Sequence, residues 1–96
     1  MTSLTCEDIR QTMQSGATLL DVRTNDEFHR GALPNAKNMP LAILPVLADE
    51  RLDKNDHVLV YCRAGARAIM AEKILTNLGF TNVTNIGGIQ HYQHCH

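Results

Sequence analysis

Just after the turn-forming stretch Asp53-Lys54-Asn55-Asp56, the chain runs from His57 through Val58, Leu59 and Val60 to Tyr61, apolar and rich in β-branched residues. Such a run predicts a strand covered on both faces, central in a parallel sheet. Thr18–Val22 reads as a second compact strand, and Asp21-Val22-Arg23 then stands where that strand leaves the core. A very short strand around Lys37–Met39 and a last one over Asn82–Ile86 complete the set. Helical signals lie between them. Residues 6–15 predict a short helix with Thr5 at the N-cap, Asp8 at N3, Leu4 and Ile9 in the staple positions and Gly16 closing it. Thr24-Asn25-Asp26-Glu27 matches a capping box opening a short helical turn that stops near Gly31. Pro34, Pro40 and Pro45 divide the next segment, leaving a short helix with Pro45 in its first turn. Residues 67–78 place Met70, Ile74 and Leu78 along one helical face, with Ile69 and Leu75 beside them, and Gly79-Phe80 supplies a C′ glycine with an apolar C″ residue. Strands alternating with helices predict an α/β fold: a mostly parallel sheet of about four to five strands with helices on both faces.

Composition adds bounds. Ninety-six residues, 44% apolar and 20% charged, fit one small globular domain over 1–96. The net charge of -1, nine basic residues against ten acidic, excludes a nucleic-acid or membrane-surface protein that binds through bulk charge, so any anion site must be local. No apolar stretch approaches the about 18 residues needed to span a bilayer, and MTSLTCEDIR has neither a basic n-region nor an apolar h-region. For the chain as given, the expected setting is cytoplasmic and the expected state a monomer. Three cysteines, Cys6, Cys62 and Cys95, are an odd number at wide spacing, which predicts reduced thiols rather than a disulfide framework.

The chemistry gathers around VLVYCRAGARA, residues 58–68. Cys62 lies at the carboxyl end of a buried strand, the edge at which open α/β sheets bind ligands. Ala64, Gly65 and Ala66 are small enough for the backbone to curl with its N–H groups inward, and Gly65 tolerates positive φ. Helix N-terminal N–H groups and the arginines at 63 and 67 favour thiolate over thiol, making Cys62 a nucleophile. Loop length selects the electrophile. Cysteine-dependent phosphatases enclose a tetrahedral oxyanion with Cys-x5-Arg, whereas Cys62-x4-Arg67 is one residue tighter and better matched to a thiolate carrying one extra sulfur atom.

Along nearly its whole length the chain resembles the single-domain members of the rhodanese family of sulfurtransferases. LLDVRTNDEFHRGALPNAKNMPL looks like the first family signature, VLVYCRAGARA like the active-site loop and GFTNVTNIGGI like the closing strand and glycine pair. The family often has tryptophan shortly after that pair; this chain has Tyr92, a departure expected to touch packing of the tail more than chemistry. The resemblance implies that Cys62 forms a persulfide, with Arg63, Ala64, Gly65, Ala66 and Arg67 as the cradle. It implies a small anionic sulfur donor such as thiosulfate and an acceptor that is cyanide, a thiol or a protein thiol; no cofactor or metal is expected. The alternatives are a noncatalytic rhodanese-like binding module, against which the intact Cys62 and Arg67 count, and a phosphatase or arsenate reductase, against which the loop length counts.

The remaining candidates read structurally. Asp21 and Arg23 are expected to form an ion pair, Glu27 to cap a helix, His29 and His57 to sit on the surface or in loops, and Gly87-Gly88 to punctuate a turn. The tail His91-Tyr92-Gln93-His94-Cys95-His96 carries metal-binding residue types, but no second cluster closes a site. Cys6 and Cys95 are expected to be bystanders.

Overall fold

A computed structural model describes residues 4–92. Its elements run α1 (Cys6–Gln14), β1 (Thr18–Asp21), α2 (Asn25–His29), β2 (Lys37–Asn38), α3 (Leu44–Arg51), β3 (Val58–Cys62), α4 (Ala66–Asn77) and β4 (Val83–Gly88), with a 3-10 turn over Ile89–Tyr92. The four strands form one sheet in the order β2-β1-β3-β4, every pair parallel. Chain winding reverses between β1 and β3, so their carboxyl ends flank the crevice where this architecture binds ligands. The segments leaving them there are Val22-Arg23 and the loop after Cys62.

Alternation along the strands sorts the core into two layers. Leu20, Val22, Val58, Val60 and Cys62 face α3 and α4, packing with Leu44, Ala48, Ala68, Ala71 and Leu75. Leu19, Leu59, Tyr61 and Ile86 face the other way, onto Ile9 of α1, Leu33 and Tyr92. All five residues of β3 are buried, as its unbroken apolar run predicts.

Local signals explain the helices. Thr5 and Asp8 close the predicted capping box on α1, and Leu4 packs against the layer that holds Ile9. Thr24 and Glu27 do the same for α2, and Pro45 sits in the first turn of α3. The apolar face of α4 differs from expectation. Ala68, Ala71 and Leu75 are buried, Ile74 and Leu78 are partly buried, and Ile69 and Met70 stand 43% and 50% exposed. Large side chains dominate a periodicity reading, but alanines let a helix approach a sheet closely, so the small-residue stripe is the buried one.

Two further expectations change. Gly87-Gly88 is the end of β4 rather than a turn: Gly88 pairs with Cys62, and a register shift opposite Val60/Tyr61 admits one extra residue. The side-chain oxygen of Asn85 accepts the Gly87 N–H at 2.8 Å within that bulge. Cys6 takes part in a disulfide, correcting the expectation of reduced thiols there, since a count and spacing of cysteines along the chain does not decide which of them pair. Cys62 is the free cysteine among the described residues. His94, Cys95 and His96 lie outside those residues. Among the described residues no helix is long and apolar enough to cross a membrane.

Candidate active site

The loop from Cys62 to Arg67 bridges β3 and α4 at the carboxyl edge of the sheet. Gly65 occupies the N-cap of α4 with φ 108°, a left-handed conformation that disfavours side chains with a Cβ, and no side chain caps the helix. Its N–H points inward and donates to Cys62 Sγ at 2.9 Å. The sulfur thus accepts the N–H of the N-cap residue itself, beside the positive end of the helix dipole. Cys62 is 1% exposed.

Gly88 makes the tight curl possible from outside. A Cβ at Gly88 would lie 2.5 Å from the Arg63 carbonyl oxygen and 3.1 Å from the Ala64 Cα. The loop backbone rests directly on that glycine.

The loop arginines have different surroundings. Arg67 donates to both carboxylate oxygens of Glu27, at 2.6 and 2.9 Å, in a bidentate pair that ties the start of α4 to α2. Those hydrogen bonds, with help from Thr24, hold the Glu27 carboxyl down to about 2 against an ordinary 4.5, and Glu27 raises Arg67 in turn. Glu27 also accepts the Thr24 N–H at 3.1 Å, so one carboxylate caps a helix and clamps the loop. Arg63 is exposed and pairs with no carboxylate among the described residues.

Asp21 and Arg23 form the expected ion pair, fully inside the structure. Arg23 Nη2 lies 2.7 Å from Asp21 Oδ2 and donates to the Gly31 carbonyl at 2.7 Å, while the guanidinium stands 5.8 Å from the Tyr61 ring centre. Burial opposes the Arg23 charge, yet the Asp21 pairing outweighs it and raises its pKa. The Tyr61 hydroxyl accepts the buried Leu33 N–H at 3.1 Å, and burial pushes the phenol above its ordinary range. These contacts stiffen the rim between β1 and β3 without presenting a reactive group.

Beside the loop lies a cleft of about 530 Å³ between the α2–β2 connection and the 3-10 turn after β4. Arg23, Arg30 and Arg63 contribute cations, and Leu33, Ile89 and Tyr92 an apolar side. Tyr92, at the C-terminal end of that turn, is held by its hydroxyl, which donates to the Ile86 carbonyl at 2.7 Å. The structure therefore brings Cys62 and Gly65 into contact, leaves Ala64 and Ala66 exposed on the loop, turns Arg67 toward Glu27 and aligns Arg63 with the cleft. Sequence reasoning missed the clamp at Glu27 because the capping box already explained that residue. It missed Gly88 because a glycine pair looks like a turn, and Arg30 because no spacing rule marks it. His57 lies elsewhere, with Nε2 2.9 Å from Thr84 Oγ1.

A parallel open sheet carrying a buried cysteine at the end of a strand, followed by a short loop into a helix at the switch point, defines a class of α/β proteins built around one cysteine. The rhodanese-like domain model matches residues 5–95, and the chain belongs to that family. It is 38% identical over 72 residues to the thiosulfate sulfurtransferase PspE of Escherichia coli, covering 74% of this chain and 69% of that one. It is 36% identical over 70 residues to a sulfurtransferase of Allochromatium vinosum, covering 73% and 64%. Among solved structures, a rhodanese with anions from E. coli superposes with a TM-score of 0.73 at 35% identity, over 79% of this chain and 91% of that one. The chain spans about two thirds of the length of the first curated relatives it matches, 64%, 69% and 64%.

Proposed function

We propose that this chain is a sulfurtransferase that moves a sulfane sulfur from thiosulfate or a related donor to a thiophilic acceptor through a persulfide on Cys62. The observation that supports it most is the 2.9 Å hydrogen bond from the Gly65 N–H to Cys62 Sγ at the N-terminus of α4. A backbone N–H donated to the sulfur at the entry to a helix suits an attacking sulfur that carries negative charge. In the first half-reaction the thiolate attacks the outer sulfur of thiosulfate; the sulfur–sulfur bond of the donor breaks and sulfite leaves with the bonding pair. Charge is conserved, and the leaving group needs no proton.

The roles divide accordingly. Cys62 is the nucleophile, the N–H groups from Arg63 to Arg67 cradle the added sulfur, and Arg63 attracts the anionic donor. Arg67, clamped by Glu27, positions the loop and lends charge behind it. Ala64, Gly65 and Ala66 keep the curl small. No cofactor or metal takes part. The relatives from E. coli and A. vinosum, a thiosulfate sulfurtransferase and a sulfurtransferase, support sulfur transfer in general. The tight Cys62-x4-Arg67 ring argues against a bound phosphate. A monomeric form belongs with this proposal.

Steady-state kinetics test it. Thiocyanate formation from thiosulfate and cyanide is expected to follow parallel-line, ping-pong kinetics and to vanish in Cys62→Ser, with no comparable hydrolysis of an aryl phosphate. Phosphatase turnover at a similar rate would replace this reading, and a protein inert in both assays would be a binding module.

A further inference from the structure

Asn85 is 3% exposed in a strand whose other buried residues are Ile86, Gly87 and Gly88. It pairs with Val60 and alternates with Ile86, so it stands on the face of the sheet that carries Val60 and Cys62. Its amide nitrogen is buried and has no hydrogen-bond partner among the described residues. An unmet buried donor is destabilising, so packing alone would favour an apolar side chain here. What the amide supplies is its oxygen, which accepts the Gly87 N–H at 2.8 Å. That bond leads to the loop. Gly87 has φ 95°, in the left-handed region, at the register shift of β4 against β3. An acceptor two residues back fixes such a turn, as in an Asx turn. The turn sets where Gly88 lies, and Gly88 pairs with Cys62 and meets the Arg63 carbonyl so closely that a Cβ would be 2.5 Å from its oxygen. That carbonyl opens the curl whose Gly65 N–H donates to Cys62 Sγ. Bulges beside active sites re-aim the segments next to them.

We propose that Asn85 is a positioning residue: its amide oxygen holds the β4 bulge that seats the Cys62–Arg67 loop, and through that seat it keeps the Gly65 N–H on the sulfur. Its effect on sulfur transfer rests on the persulfide reading above; its effect on the loop does not.

Asn85→Ala and Asn85→Ser separate holding from packing. Both remove the amide and leave similar space, but the serine hydroxyl can accept the N–H two residues on, as in an ST turn. In the nitrogen–proton correlation spectrum, the Gly65 amide resonance of Asn85→Ala is expected to move at least halfway to its position in Cys62→Ala, where the sulfur acceptor is gone. In Asn85→Ser it is expected to stay near wild type. Persulfide loading from thiosulfate is followed in single turnover on samples shown by circular dichroism to be folded. It is expected to slow about tenfold or more in Asn85→Ala and by no more than about threefold in Asn85→Ser, since small displacements of reacting groups cost rate. A Gly65 resonance unmoved in Asn85→Ala, or equal loading rates in the two variants, would overturn the inference and leave the amide as a space-filling residue. If Asn85→Ala does not fold, Asn85→Leu, which fills the space without an acceptor, replaces it in both comparisons with the same expectations. If the wild-type chain loads no persulfide, the proposed function fails, and the Gly65 resonance decides the positioning by itself.

Discussion

Gly88 carries a hydrogen where any other residue would place a carbon 2.5 Å from the Arg63 carbonyl oxygen. Both neighbours are backbone, so neither yields by changing rotamer. Gly88→Ala is expected to cost about 1–3 kcal/mol, as overpacking does, and to slow persulfide loading because the displaced segment is the loop itself. Urea unfolding together with loading rates checks this, and an unchanged midpoint with unchanged loading would contradict it. Glu27 makes a different demand. Its carboxyl titrates at about 2 in the folded chain and near 4.5 when freed, so it contributes stability that is fully present above 4.5 and lost as pH falls toward 2. Replacing it by Gln removes that dependence. The urea midpoint of wild type is expected to fall more steeply than that of Glu27→Gln between those pH values, and parallel acid limbs would show that the clamp adds nothing.

At the scale of elements, α4 separates two readings of one helix. Its buried stripe is Ala68, Ala71 and Leu75, while Met70 is half exposed. Leu75→Ala should therefore cost about 2–5 kcal/mol and Met70→Ala less than about 0.5 kcal/mol, a contrast that denaturant midpoints resolve. Equal losses would restore the face that periodicity predicts. The starts of α1, α2 and α3 and the span of β3 were legible because each carries its own punctuation, two capping boxes, a proline in a first turn and an unbroken apolar run, whereas the end of β4 was not, its glycine pair reading as a turn. The face of α4 was not, since which stripe meets the sheet depends on how closely the backbones approach. The Cys62 loop was legible for the opposite reason, being contiguous in sequence. Glu27 with Arg67, Gly88 with Arg63 and the Arg30 cleft join segments distant along the chain, and no local spacing records such meetings.

For the whole molecule, the order β2-β1-β3-β4 places two strand ends, one loop and one helix N-terminus at a single crevice. A buried Asp21–Arg23 pair stiffens one wall, and the Glu27–Arg67 pair ties the other to α2. That rigidity suits chemistry in which a sulfur is held in a preformed ring and passed on, with little need for a moving acid or base. The most direct measurement is the intact mass of the protein after incubation with thiosulfate and removal of excess donor, for wild type and Cys62→Ser, followed by a cyanide chase. A gain of one sulfur atom is expected only when Cys62 is present, lost on cyanide as thiocyanate appears. No gain from thiosulfate, mercaptopyruvate or a low-molecular-weight persulfide, or equal gain in Cys62→Ser, would contradict it.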